Sequence, residues 1–286
     1  MRNSRQFRAL VETVKSKQNA HQVRRLVLCY SKGTVPKYQV ATAAKIFTSI
    51  RELSLYHMKL DDLTVLNGFQ DLETLTLEYV RQAKMTFFTL PHLRHFTIGH
   101  RCELDLAWMK DENAPQLEAL ALRRPTKLDG WNPSLSSTTP WNLTVLNLDW
   151  YTSYQWTDSL PNVLVNIDSL DAHLLLPSGV QHARITSNSR YAEESYVSKL
   201  VLDKPVPLET LILPTRFKPL TPPTSTKSYL WRIVRGCQQR GIELFYEESP
   251  NWELDSDVSK AFIGKMKRLK LARQEDQHLE EEEEDN

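Results

Sequence analysis

Apolar side chains recur along this chain in one spacing: apolar, two residues, apolar, one residue, apolar. The clearest copies are Val23-Leu26-Leu28, Ile50-Leu53-Leu55, Leu72-Leu75-Leu77, Leu93-Phe96-Ile98, Leu117-Leu120-Leu122 and Leu143-Leu146-Leu148. Weaker copies are read at Ile167-Leu170-Ala172, Val180-Ala183-Ile185, Val197-Leu200-Leu202 and Leu208-Leu211-Leu213. The first six begin 27, 22, 21, 24 and 26 residues apart, and the later steps shorten to 13, 17 and 11 after one of 24. In such a copy the fourth and sixth residues share one face of a short strand, and the first closes the same core from the preceding turn. One copy buries too little to stand alone, so neighbouring copies must stack. Prolines lead several copies: Pro91, Pro115, Pro140, Pro177 and Pro207 stand one to three residues before Leu93, Leu117, Leu143, Val180 and Leu208.

The pattern predicts an α/β chain: an irregular leucine-rich-repeat solenoid, or horseshoe. A parallel sheet is expected on its concave face, with helices or turns on the convex face. The ninth position, where regular repeats place Asn or Cys, holds Met58, Val80, Arg101, Pro125 and Tyr151, so no asparagine ladder is expected. Three segments follow. Residues 1–22 form an N-terminal capping helix. Residues 23–250 form the solenoid, with a closing helix over 227–240 capped by Gly241 and a last strand Ile242-Leu244-Tyr246. Residues 251–286 hold a basic helix over 256–273, with Val258, Phe262, Met266 and Leu269 on one face, and then a disordered acidic tail. Helix and tail read as a solvated terminus, with a nuclear-targeting or phosphate-binding helix as the alternative. Leu160 to Ile167 reads as an approach to a strand.

The proline-led, divergent copies resemble those of the fungal F-box/leucine-rich-repeat proteins. Phe7-Arg-Ala-Leu10 leading to Val23-Arg-Arg-Leu-Val-Leu28 is similar to the stretch that joins their F-box to the first repeat. Arg235-Gly-Cys-Gln-Gln-Arg-Gly-Ile-Glu-Leu244 resembles their closing helix and final strand. The likeness spans residues 7–246. It implies a protein-recognition module similar to the substrate-binding part of a cullin-RING ubiquitin ligase. The 22 residues before Val23 are too few for an F-box. Binding to a Skp-type adaptor is therefore expected only with an F-box further upstream. The alternative is a ubiquitin-independent adaptor or scaffold that uses the same repeats and the acidic tail.

If the repeats recognise a partner, its residues sit at the third, fifth, seventh and eighth positions. These include Glu52, Ser54, Tyr56, Thr74, Thr76, Glu78, His95, Thr97, Arg123, Asn147, Asp149 and Trp150. The aromatic stretch Trp150-Tyr151-Thr-Ser-Tyr154-Gln-Trp156 joins them, because aromatic side chains anchor interfaces out of proportion to their number. The expected partner is a protein or peptide on the concave face.

Composition narrows the classes without choosing among them. With 286 residues, 41% of them hydrophobic, the chain can bury a core without disulfides or metal. Its three cysteines, Cys29, Cys102 and Cys237, suggest no disulfide framework, and the N-terminus lacks the apolar core of a signal peptide. A cytoplasmic or nuclear location is expected, with no membrane span. The 36 basic and 35 acidic side chains give a net +1, which hides an asymmetry. The last 13 residues hold 8 of the acids and no Lys or Arg. The preceding 273 carry 36 basic against 27 acidic groups, a net +9. The acidic tail next to the basic helix makes nucleic acid an improbable partner. No phosphate loop, nucleophile elbow or HExxH motif occurs, and His92, His95, His100 and Cys102 are spread too far along the chain to converge on a zinc ion. No enzyme mechanism follows, and no cofactor or metal is expected.

Overall fold

The computed structural model describes residues 4–29, 36–60, 63–82, 89–105, 113–123, 127–129, 143–149, 159–167, 179–185, 197–198, 207–219, 229–248 and 260–268. The chain is α/β, and every described strand pair is parallel. The described residues gather into two compact units that divide at Leu143/Thr144, inside the stretch 23–250 expected as one body.

In the first unit, β1 (Arg25–Cys29), β2 (Glu52–Leu60), β3 (Thr74–Gln82), β4 (His95–Ile98) and β6 (Ala119–Arg123) lie side by side in that order. The short strands β5 (Glu103–Asp105) and β7 (Lys127–Asp129) pair with each other, and β5 also pairs with β3. Register matches the sequence copies. Leu26, Leu53, Leu75, Phe96 and Leu120 stand in one row, and Leu28, Leu55, Leu77, Ile98 and Leu122 in the next. All ten are buried, with Ile50, Leu72, Leu93 and Leu117 closing the same core. Full burial of each such side chain is worth about 1.5–3 kcal/mol.

One backbone device repeats at each step. The carbonyl of Arg24 accepts from the N–H groups of both Arg51 and Glu52. The carbonyls of Arg51, Glu73 and Arg94 do the same for the next strands. A turn precedes three of these strands, with Leu72, Leu93 and Leu117 donating to Phe69, Leu90 and Ala114 three residues earlier. Pro91 and Pro115 occupy the second place of such turns, where a fixed φ near −65° is already correct. Their role is to shape the turn, which is more specific than ending a helix.

His57 and Tyr79 have φ of +56°. This breaks the strand alternation, so Met58 and Val80 turn into the core directly after Tyr56 and Glu78. In the next copy the same break falls one residue later, at Arg101 (φ +53°). Cys102, not Arg101, therefore fills the ninth-position role: it is buried, and its thiol lies 3.3 Å from the carbonyl of Leu77.

Two helices cover parts of this unit. Helix α1 (Ser4–Lys17) buries Phe7 and Val14, and helix α2 (Lys37–Ile46) buries Val40, Ala43 and Ala44. A Cβ at Gly68 would lie 2.6 Å from that of Ala44, so glycine is what lets the 3-10 turn Thr64–Gly68 approach α2.

The second unit orders β8 (Val145–Asp149), β9 (Ser159–Ile167), β10 (Gly179–Ile185), β11 (Thr210–Pro214) and β12 (Glu243–Glu247). Helix α3 (Tyr229–Arg240) buries Ile233, Gly236 and Cys237. It ends as expected at Gly241, whose φ is +68°. There Ile242 donates to the carbonyl of Cys237 and Gly241 to that of Gln238.

Four expectations are corrected here. Residues 160–167 are not an approach; they belong to strand β9 itself. Ile167 pairs with Leu148 and Ile185 as a sixth position, so it does not begin a copy with Leu170 and Ala172, which lie outside the described residues. No copy at Val197 enters the sheet either. Strand β10 pairs directly with β11, and the buried residues 197–198 are helical. Lastly, the basic C-terminal helix is solvated on one side only. Residues 260–268 are helical, and Phe262 and Met266 are buried against Leu164 and Ile212 of the sheet. Val258, Leu269 and the acidic run lie outside the described residues. Among the described residues no helix is long and apolar enough to cross a membrane.

Candidate functional site

Each sheet has a core face, bearing the fourth and sixth positions of the copies, and an outer face, bearing the third, fifth and seventh. In the first unit the outer face is partly exposed from β1 to β4, while Ala121 of β6 is buried. Its central row, Val27-Ser54-Thr76-Thr97-Ala121, consists of small side chains in continuous register. The row on one side is Arg25-Glu52-Thr74-His95-Ala119, in which Arg25 and Glu52 pair at 3.2 Å. The row on the other side runs Cys29-Tyr56-Glu78. The result is a floor of methyl and hydroxyl groups between charged and aromatic margins.

Tyr56 is the centre of the second margin. Partial burial raises the pKa of its phenol, Glu78 and Cys29 push the same way, and Arg123 and Arg25 oppose them. Glu78 lies over Gly99, where an added Cβ would be 2.2 Å from its Cγ. Gly99 thus leaves the Glu78 side chain a place to lie, and a larger residue there would push the carboxylate elsewhere.

Along the strand ends runs a column that the sequence did not announce. The rings of His57 and Tyr79 stack at 4.5 Å between centroids, and those of Tyr79 and His100 at 6.4 Å. All three are eighth positions, so the signal was an aromatic or imidazole ring in the same place in three successive copies.

The structure therefore gathers nine expected residues on one face: Glu52, Ser54, Tyr56, Thr74, Thr76, Glu78, His95, Thr97 and Arg123. All are partly or fully exposed. Asn147 belongs to the second unit, where it accepts from the side-chain amide of Asn166 at 2.8 Å. Asp149 ends β8, but its side chain lies outside the described set. Trp150, Tyr151, Tyr154 and Trp156 also lie outside the described residues. His92 and His95 are exposed while Cys102 is inside the core. Among the described residues no three His, Cys, Asp or Glu side chains are placed to hold a metal.

The outer face of the second unit is of another kind. Leu164, Asn166, His182, Arg184, Thr210 and Ile212 all belong to it, and all are at most 5% exposed. Arg184 forms a buried ion pair with Glu247 and donates to the side-chain carbonyl of Asn166 at 3.2 Å. The polar line Glu247-Arg184-Asn166-Asn147 thus crosses the sheet with its groups mutually satisfied. Beside it, Phe262 meets the ring of His182 edge-on at 5.0 Å. Burial lowers the pKa of His182, and Lys265 adds to that, while Glu209 and Glu243 oppose it.

No protein-family model matches the chain, and no curated protein matches it. Its function must be argued from these two faces.

Proposed function

We propose that the chain is a leucine-rich-repeat recognition module, and that the outer face of the first unit is the concave surface on which it holds a protein or peptide. The observation that carries this reading is the unbroken floor Val27-Ser54-Thr76-Thr97-Ala121 between its charged and aromatic margins. Among the described residues the floor carries no bulky side chain in the path of a segment laid across β1 to β4. Such a segment finds carboxylates (Glu52, Glu78), guanidinium groups (Arg25, Arg123) and a phenol (Tyr56) at the sides. Recognition surfaces of stacked repeats are extended in this way.

By its likeness to fungal F-box/leucine-rich-repeat proteins, the partner would be a substrate presented to a cullin-RING ubiquitin ligase. A ubiquitin-independent adaptor role uses the same surface, and the two diverge at a single point. The ligase reading needs a Skp-type adaptor, which residues 1–286 are expected not to capture without an upstream F-box; direct capture would refute that expectation.

The surface itself is tested by proximity labelling in the native cell, comparing the intact chain with Thr76→Arg. A guanidinium in the middle of the floor should remove a specific subset of neighbours while the melting temperature changes by no more than a few degrees. An identical set of neighbours from both chains would sink the proposal.

A further inference from the structure

The outer face of the second unit holds an occupant that belongs to the chain itself. Helix 260–268 inserts two side chains, Phe262 and Met266, one helical turn apart, against Leu164 and Ile212. Ile263 packs beside them. All other side chains of the helix that carry charge are basic (Lys260, Lys265, Lys267 and Arg268), and all are exposed. Two exposed acidic residues lie at the strands beside His182: Glu243 is in register with Thr210, itself paired with His182, and Glu209 donates its N–H to the carbonyl of Gln181. The geometry is that of an amphipathic helix in a groove: apolar anchors four residues apart below, cationic groups above an acidic rim.

The groove is not fully used by what fills it. His182 is 5% exposed, and its Nδ1 has no hydrogen-bond partner among the described residues. Phe262, which covers that ring, offers no donor. A buried polar atom left unpaired is destabilising. A helix that set a hydroxyl or amide opposite His182 would satisfy it, which no side chain of residues 260–268 does.

We infer that this face is a second binding site, specific for a basic amphipathic helix with two large apolar side chains four residues apart, and that helix 260–268 is its tethered, displaceable occupant. Only eleven residues of sequence separate Glu248 from Lys260, so the resident helix is present at an effective concentration of roughly millimolar. A free helix at micromolar concentration is excluded unless it binds better or the resident is weakened. This site is separate from the open face of the first unit, and it stands or falls independently of the function proposed for that face.

Two measurements on the full chain test the inference. The first is amide hydrogen exchange of the wild-type protein. Residues 260–268 should exchange at least a hundredfold faster than β9, through an opening that leaves the sheet intact. Equal protection of helix and strand would make the helix an integral part of the unit and overturn the proposal. The second uses a fluorescein-labelled synthetic peptide of residues 256–273 as the probe, followed by fluorescence polarisation. The double variant Phe262→Ala/Met266→Ala should bind it at least tenfold more tightly than the wild type. Adding Ile212→Glu to that variant should abolish binding. Equal affinity for the wild type and the double variant, failure of the double variant to bind the probe, or failure of the double variant to fold would each overturn the proposal.

Discussion

The same strand positions reach opposite ends in the two units. In the first, the third, fifth and seventh residues alternate with buried leucines and from β1 to β4 stay partly open to solvent, with Ala121 of β6 the buried exception. In the second, those positions hold Leu164, Asn166, His182, Arg184 and Ile212, and they are as buried as the core opposite. Parallel pairing does not account for the difference, because it is common to both units, although β9 and β10 shift register between Val180 and His182. Side-chain chemistry does. A row of serine, threonine and alanine leaves little apolar area to cover, whereas Leu164 and Ile212 stand beside a large polar network that must be completely satisfied if it is to be covered.

The sharpest way to break the comparison is to remove the same chemistry from each face. Glu247→Ala removes a carboxylate partner from the buried Arg184 guanidinium and should cost about 3–5 kcal/mol in urea unfolding. Glu52→Ala breaks the exposed Arg25 pair and should cost no more than about 1 kcal/mol. Comparable losses at the two sites would mean that the faces are not distinct environments. Within the first unit, Leu77→Ala should cost about 2–5 kcal/mol, while its neighbour Thr76→Ala on the open face should stay within about 0.5 kcal/mol. A costly Thr76→Ala would show the floor to be packed and not free.

A smaller effect concerns His182. Its folded pKa lies below the unfolded value of 6.5, so unfolding takes up protons in that window. Stability from this group is complete above about pH 6.5 and is lost as the pH falls through the folded pKa. The stability difference between the wild type and His182→Leu should therefore change between pH 7.5 and pH 5.5, and a pH-independent difference would remove His182 from the account. Smallest is a chemical contrast. Burial raises the thiols of Cys102 and Cys237 to about 11, which keeps them protonated and slow to alkylate at pH 8. Partly exposed Cys29, on the margin of the open face, should be the first modified by iodoacetamide, as read by peptide mass spectrometry. A partner bound there would protect it.

How much of this the sequence disclosed depended on alternation. Where strands are buried on one face only, as in Leu53-Ser54-Leu55-Tyr56, the period of two names both the core and the open residues, and the structure agrees residue by residue. Strand β9 escaped because its copy begins with Asn162 and continues through the run Val163-Leu164-Val165. That run has no alternation to read. The same is true of Leu211-Ile212-Leu213 in β11. Uninterrupted apolar runs of this kind indicate strands covered on both sides, and they were the available sign that something must lie over the second unit. Phe262 and Met266 were visible as one side of a helix; what they pack against was not, because the contact joins residues about fifty to a hundred positions apart. The left-handed residues His57, Tyr79 and Arg101 also have no residue-type signature, since none is glycine.

One detail of the first unit bears on how such a chain lengthens or shortens over time. The second residue of four successive copies alternates in charge, Arg51, Glu73, Arg94 and Glu118, although Arg24 before them is also basic. Arg51 and Glu73 approach to 3.2 Å, and Arg94 and Glu118 to 3.4 Å. Excising one copy, for example 72–92, would bring Arg51 beside Arg94. Excising two, 72–116, would restore Arg51 beside Glu118. Each contact is weak, and Arg24 already stands beside Arg51, so the alternation favours paired removal only among the copies that begin at Ile50, Leu72, Leu93 and Leu117.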